Sequence, residues 1–245
     1  MRQTPLIHPP QTITSGYCKR CKTVHSLGSA KAIPGCHRLM AELESEDATR
    51  DYLFGPARGK MFGVMECLQP DGTSVTLRAF SGQYDGLWEV NGWVPPLFSV
   101  EDFSRISDKV EKQIKTIGRE IEMLRPHSEP WLLLRKKRRH LSQALMRDIH
   151  NLYQLKNFHG DTATLSEAYF NRNGIPTGTG DCCAPKLLNY AARHRLTPLG
   201  IAEFYWGREN KSNSRQHGSF YSSCREKCEP ILGFMLCGLD HPDDK

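Results

Sequence analysis

The sequence predicts an α+β (or α/β) protein, in which cysteine-bearing helices pack a small sheet, with an inserted helical hairpin and an N-terminal zinc knuckle. Three observations predict it. Two strand-like runs, Met61 to Leu68 and Ser74 to Ser81, flank Pro70-Asp71-Gly72, whose turn chemistry makes them a hairpin. Phe103, Ile106, Val110, Ile114, Ile117, Ile121 and Leu124 step by three and four, the pattern of a long amphipathic helix. Finally, Cys182-Cys183 opens one apolar run, a strand-like stretch from Pro198 to Trp206 follows, and Cys224-x3-Cys228 leads into a second apolar run, Ile231 to Leu239.

A chain of 245 residues can bury a core without disulfides. It is 38% apolar and 24% charged, as in soluble globular proteins, and no apolar run approaches the ~18–20 residues of a membrane span. The polar, Pro-containing start lacks the apolar segment of a secretion signal. Nine cysteines in that setting point to metal ligation or reduced thiols in the cytoplasm rather than to a disulfide framework. The net charge of +6 permits nucleic-acid binding without establishing it.

Residues 1–16 read as a disordered tail. Residues 17–53 open on Cys18-x2-Cys21, the spacing that brings two sulfurs to one zinc. His25 and Cys36 are near enough to complete a tetrahedron, with His37 as a substitute for Cys36. A helix is expected from Leu39 to Leu53. The basic, turn-rich Phe54 to Met61 then leads into the hairpin, and Leu87 to Val94 reads as a third strand stopped by Pro95-Pro96. Trp88 and Trp93 are expected to pack rather than to form a binding surface.

Residues 99–157 form the inserted unit. Pro126-His-Ser-Glu-Pro130 ends the first helix. Leu134, Leu141, Leu145, Ile149, Leu152 and Leu155 mark a second, antiparallel one. Arg135-Lys136-Lys137-Arg138-Arg139-His140 lies early in it, dense enough to contact RNA phosphates, although a solvated helix face gives the same pattern. Residues 54–98 and 158–240 make up the core, in which residues 158–177 read as a loop with a turn at Asn171 to Gly174. Gly207 to Gly218 reads as a polar loop and His241 to Lys245 as a disordered end.

Asp181 is an N-cap type, so Cys182 and Cys183 fall in the first turn of a helix, where the dipole favours thiolate. With Cys224 and Cys228 they suggest a second zinc site. Adjacent helical residues point about 100° apart, so one of Cys182 and Cys183 is expected to ligate and the other to pack. Cys67 and Cys237 read as small buried hydrophobes.

Several stretches, in order, resemble a family. They are Phe54-Gly-Pro-Ala-Arg-Gly-Lys-Met-Phe-Gly-Val, Leu77-Arg-Ala-Phe-Ser-Gly-Gln with Gly92-Trp-Val-Pro-Pro, Gly180-Asp-Cys-Cys-Ala-Pro-Lys-Leu-Leu, Ala202-Glu-Phe-Tyr-Trp-Gly, and Cys224-x3-Cys-Glu-Pro-Ile-Leu-Gly. Together they are similar to the long N-terminal region attached to some bacterial RluA-type RNA pseudouridine synthases. The resemblance implies a role with rRNA or tRNA. Such a synthase's catalytic domain carries an Asp in a His-Arg-Leu-Asp type motif; here His194-Arg-Leu ends in Thr197, inside the N-terminal-type region. The resemblance therefore implies an accessory module that works without its own synthase domain, with such a domain supplied in trans as a candidate partner.

The order hairpin, cysteine helix, strand, cysteine-pair helix more distantly resembles zinc nucleobase and nucleoside deaminases. In those, zinc activates a water and a Glu carries its proton. Their Pro-Cys-x2-Cys is Cys-x3-Cys here, and their Glu is missing after Cys182, which leaves Asp181 or Glu203 as proton carrier. The leading expectation is an RNA-associated module binding one or two zinc ions, with Arg58, Lys60 and Arg135–Arg139 on phosphates. The alternatives are a deaminase-like hydrolase and a structural protein-interaction module.

Overall fold

The structure, a computed structural model, describes residues 12–170 and 174–239. The central sheet has the strand order β4-β3-β7-β8, antiparallel throughout. Its strands are β3 (Lys60–Leu68), β4 (Ser74–Phe80), β7 (Thr197–Trp206) and β8 (Phe220–Tyr221). Two-stranded ribbons flank it: β1 (Ile13–Cys18) with β2 (Thr23–Gly28), and β5 (Gln154–Lys156) with β6 (Thr162–Thr164). The fold is α+β. The β3–β4 hairpin turns where Pro-Asp-Gly predicts, with Gly72 at φ 84 and Asp71 Oδ1 accepting the Thr73 N–H at 2.9 Å.

Strand periodicity gives the sheet two apolar faces, because successive side chains point to opposite sides. On β3, Phe62 and Val64 join Ala202 and Phe204 of β7 beneath α1 (Ile33–Ser45) and α2 (Asp47–Phe54), where Cys36, Leu39, Leu43 and Leu53 are buried. Met65 and Cys67 face the other way with Ile201, under α6 (Cys183–Arg193) and α7 (Glu229–Met235). The helix expected over Leu39–Leu53 is thus two, broken at Glu46, whose backbone is extended at ψ 105.

The inserted unit is a helical hairpin of α3 (Val100–Glu122) and α4 (Glu129–Leu152). Ser99 caps α3 by accepting the Asp102 N–H at 3.2 Å, and Pro130 sits in the first turn of α4, where no helical donor is lost. A short helix, α5 (Leu165–Ala168), opens on a capping box between Thr164 and Glu167.

Three further expectations need correction. Residues 158–177 are not all loop, because β6 and α5 lie within them, the helix being started by the Thr164–Glu167 capping box. The N-terminal tail does not extend to residue 16: the chain is a β-strand from Ile13, with Thr14 and Gly16 buried. Residues 1–11, the Asn171 turn (171–173) and the end from 240 lie outside the described residues. Nor does Leu87–Val94 form a strand. Gly82, Asp85, Gly86 and Gly92 all take positive φ, which a strand does not allow, and the segment is a loop tied to β4 by one bond, Val94 N–H to Arg78 O at 2.9 Å. Its tryptophans pack as expected, Trp93 against Phe62 and Phe80, Trp88 against Phe98 and Phe103.

Candidate metal centre

Cys18 ends β1, a four-residue turn carries Cys21, and His25 lies on β2. Lys22 adopts φ 56 and returns its N–H to Cys18 O at 2.8 Å, the tight turn a knuckle needs. Cys18 pairs with Thr23 in register, and His25 lies two residues beyond, so strand alternation puts Cys18 and His25 on one face. Helix α7 packs across β1 at backbone contact. A Cβ added at Gly16 would lie 2.3 Å from Gly233 N, and one at Gly233 would lie 2.0 Å from Tyr17 O. This approach, open only to glycine, carries the end of α7 onto the knuckle.

Cys237 arrives there. The ligand atoms of Cys18, Cys21, His25 and Cys237 all lie within 4.8 Å of one another, and Cys21 Sγ is 3.5 Å from Cys237 Sγ. Tetrahedral zinc with Zn–S bonds of about 2.3 Å holds its sulfurs about 3.7 Å apart, so the spacing suits one ion. Three sulfurs and an imidazole are a donor set that zinc accepts, and four ligands close the site. Burial works against a Cys18 thiolate. The Cys21 and Arg20 backbone N–H groups and the Cys237 and Cys21 thiols outweigh it and hold its pKa below the usual thiol range. Burial, and then the Cys21 and Cys18 thiols, push Cys237 up to about 12, so without an ion the group keeps protons that metal binding would displace.

Cys36, expected as the fourth ligand, is placed elsewhere. It lies fully buried on α1 with its thiol directed to Ala202 O at 3.8 Å, and burial raises its pKa to about 12. His37 faces the ring of Phe220. Cys237, expected only as packing, takes the fourth position. Its one local signal is the Cys237-Gly238 pair, in which Gly238 at φ 87 turns the chain after α7.

The C-terminal cysteines sit at two helix starts, as expected, but among the described residues Cys182, Cys183, Cys224 and Cys228 do not gather three ligand atoms within 4.8 Å. Cys183 is fully buried. It packs against Gly63 of β3 and points its thiol at Met61 O, 3.4 Å away. Cys182 is the N-cap of α6 and meets the Cys228 thiol, while Cys224 is half-buried. The helix dipole does not give thiolates here. The Cys228 thiol and then burial raise Cys182 well above the ordinary value, and burial followed by Glu203 raises Cys183.

Asp181 does not cap α6; its Oδ1 accepts the Tyr153 hydroxyl at 2.6 Å. Glu203, on β7 opposite Gly63, accepts the Ala184 N–H of the first turn of α6 at 3.0 Å. It is fully enclosed, and burial raises its pKa to about 7, against the pull of that N–H and of Arg215. Lys186, for which the sequence offered no signal, lies near Cys183 and Asp181 and is 1% exposed.

The basic residues divide. Arg135, Lys136, Lys137, Arg138, Arg139 and His140 are all exposed on α4, and among the described residues none of them forms an ion pair. Arg135, Lys136, Arg138 and Arg139 line an open concavity of about 980 Å³ on the helical hairpin, and Arg135 stacks over Trp131 at 4.5 Å. Arg58 and Lys60 are half-buried instead. Arg58 adopts φ 66 and donates to Glu209 O at 2.6 Å, and burial lowers the Lys60 pKa.

No protein-family model matches the chain, and no curated protein or solved structure matches it. No helix among the described residues is long and apolar enough to cross a membrane.

Proposed function

We propose that this chain is a zinc-stapled RNA-binding module that acts in or alongside RNA modification, in the manner of the N-terminal region of RluA-type pseudouridine synthases. Zinc at Cys18, Cys21, His25 and Cys237 closes the fold and leaves no position for a reacting water, so its role is structural. The α4 basic face carries the reading. Five consecutive cations stand exposed, without ion-pair partners among the described residues, next to an aromatic ring and an open concavity. Phosphate neutralisation releases counterions, so binding falls with salt at a slope of about 0.7 per contact on single strands. Replacing Arg135, Lys136, Lys137, Arg138 and Arg139 by Gln should weaken binding to a tRNA or an rRNA fragment and reduce the slope of log K against log salt by about 3. An unchanged slope would sink the proposal.

A second reading, deaminase-type hydrolysis, keeps one observation in its favour. Glu203 is a buried carboxylate with a pKa near 7 at the start of a cysteine-bearing helix, the tuning a proton carrier needs. Release of ammonia from cytidine, adenosine or a free base, abolished in Glu203→Gln, would establish it.

A further inference from the structure

Beside the metal group the surface closes into a cavity of about 200 Å³, smaller than the sites that hold whole drug-sized ligands. Cys18 and Cys237 line it, so the metal group forms part of its wall. Two aromatic rings flank the opening: Tyr17 is 40% and Phe170 48% exposed, with centroids 5.2 Å apart and planes inclined at 36°. Lys19 projects its ammonium over Phe170 at 5.1 Å.

Two exposed carboxylates also line the cavity, each held in place by its hydrogen bonds. Asp161 Oδ2 accepts from Arg20 at 2.5 Å and from Asn157 Nδ2 at 3.1 Å, while Asn157 Oδ1 accepts the Asp161 N–H at 2.9 Å. Asp161 Oδ1 has no hydrogen-bond partner among the described residues. Glu167 is fixed in the same way, with Oε2 accepting from Thr164 N and Oγ1 and Oε1 left over. Partly exposed aromatic rings, a cation on one of them and oriented carboxylate acceptors match the needs of an unstacked base: a π-face, a phosphate charge and exocyclic amino donors.

We propose that this cavity takes one unpaired, amino-bearing base of single-stranded RNA, adenine, cytosine or guanine, stacked on Phe170 and Tyr17. Its amino group donates to Asp161 or Glu167, and Lys19 neutralises the adjoining phosphate. Uracil offers no amino donor and binds more weakly. The site rests on the RNA-binding reading and adds to it a base-selective contact about the knuckle, distinct from the phosphate-binding face of α4.

The test is fluorescence anisotropy with 5′-labelled twelve-nucleotide poly-A, poly-C and poly-U RNAs against the zinc-loaded chain, Phe170→Leu, Lys19→Gln and the Gln-substituted Arg135–Arg139 variant. Zinc content and circular dichroism of each variant confirm that it folds. Wild type should prefer poly-A and poly-C over poly-U by at least severalfold. Phe170→Leu should lose about tenfold on poly-A and erase the preference, in line with one base-stacking contact. Lys19→Gln should weaken all three RNAs alike. If Phe170→Leu binds as wild type while the Arg135–Arg139 variant loses binding, the cavity is refuted and the α4 face stands. If wild type shows no base preference, the cavity is refuted as well. If wild type binds none of the three RNAs, both readings fall.

Discussion

Cys21 and Cys237 stand 216 positions apart in the chain and 3.5 Å apart at their sulfurs. Joining them through a metal closes most of the protein into one loop, and the benefit of a cross-link grows with the loop it closes. In the chain-entropy limit a loop of this size is worth about 5 kcal/mol. Cys237→Ser should therefore lower zinc content from one ion per chain to none and reduce Tm by about 10–20 °C, at 2–4 °C per kcal/mol for chains of this size. Cys36→Ser should leave the zinc in place. Elemental analysis with calorimetry distinguishes the two, and zinc retained in Cys237→Ser would refute the assignment of the fourth ligand.

The cross-link depends on how closely α7 lies on β1, and that depends on two glycines. At Gly233 an added Cβ would come 2.0 Å from Tyr17 O, backbone that cannot yield without moving the strand. Gly233→Ala should push α7 off the knuckle, cost about 3 kcal/mol as an overpacking substitution, and weaken zinc retention in competition with a chelator. Gly28→Ala, with nothing within 4 Å of the added atom, is the control and should be neutral in both assays. Equal zinc retention in Gly233→Ala and wild type would separate the close packing from the metal centre.

Glu203 ties stability to pH. Its pKa is raised from 4.5 to about 7 by burial, with the Cys36, Cys182 and Cys183 thiols near it and Arg215 opposing the shift. The folded chain binds a proton there that the unfolded chain has already released, so stability is highest below the unfolded pKa and falls as pH rises from about 4.5 through 7. The full displacement corresponds to about 3 kcal/mol, an upper limit for one buried group. Glu203→Gln keeps an oxygen for the Ala184 N–H and removes the charge. It should stabilise the chain above pH 7 and flatten the pH dependence between 5 and 8 in denaturant titrations. A mutant whose profile parallels wild type would show that the carboxylate is not the titrating group.

Local chemistry was readable where it is decided locally. Pro70-Asp71-Gly72 makes a turn by its own backbone preferences, and the three-and-four spacing of Phe103 to Leu124 makes an amphipathic helix wherever it packs. Cys18, Cys21 and His25 were readable for the same reason, since a knuckle and its hairpin are built within eight residues. Cys237 was not. It lies in an apolar run that reads as core, and only the Gly16–Gly233 approach brings it to the knuckle. Cys36 was nearer in sequence, but the apolar face of α1 turns it into the sheet. The Leu87–Val94 segment has strand-like residues, yet four positive-φ positions before and within it override them. The Cys228 thiol and then burial at Cys182, and burial at Cys183, likewise overrode the helix dipole. A dipole favours charge by about 1 kcal/mol, and full burial opposes it by more.

Lys186 gives the sharpest test of the core around α6. Its ammonium, 1% exposed, donates to Phe80 O and Gly82 O at 2.9 Å each and lies 4.7 Å above the Phe80 ring. Burial lowers its pKa, while Cys183 and Asp181 work the other way. The lysine fastens the end of β4 and the loop after it to α6, and the Gly82 N–H completes the tie by donating to Asp181 O at 2.8 Å. Lys186→Met keeps the length and apolar stem but leaves two carbonyls without a donor, each costing about 1–3 kcal/mol when buried. Removing the buried charge recovers part of that cost, so the net loss should be about 2 kcal/mol, a fall in Tm of roughly 4–8 °C. The loss should also be local: the Gly82 amide should exchange with solvent faster in Lys186→Met, while amides of β3 and β7 keep their protection. Unchanged exchange at Gly82 would mean that the Gly82–Asp181 and Val94–Arg78 bonds and the packing of Trp88 and Trp93 suffice to hold the loop, and that the buried ammonium is dispensable to the fold.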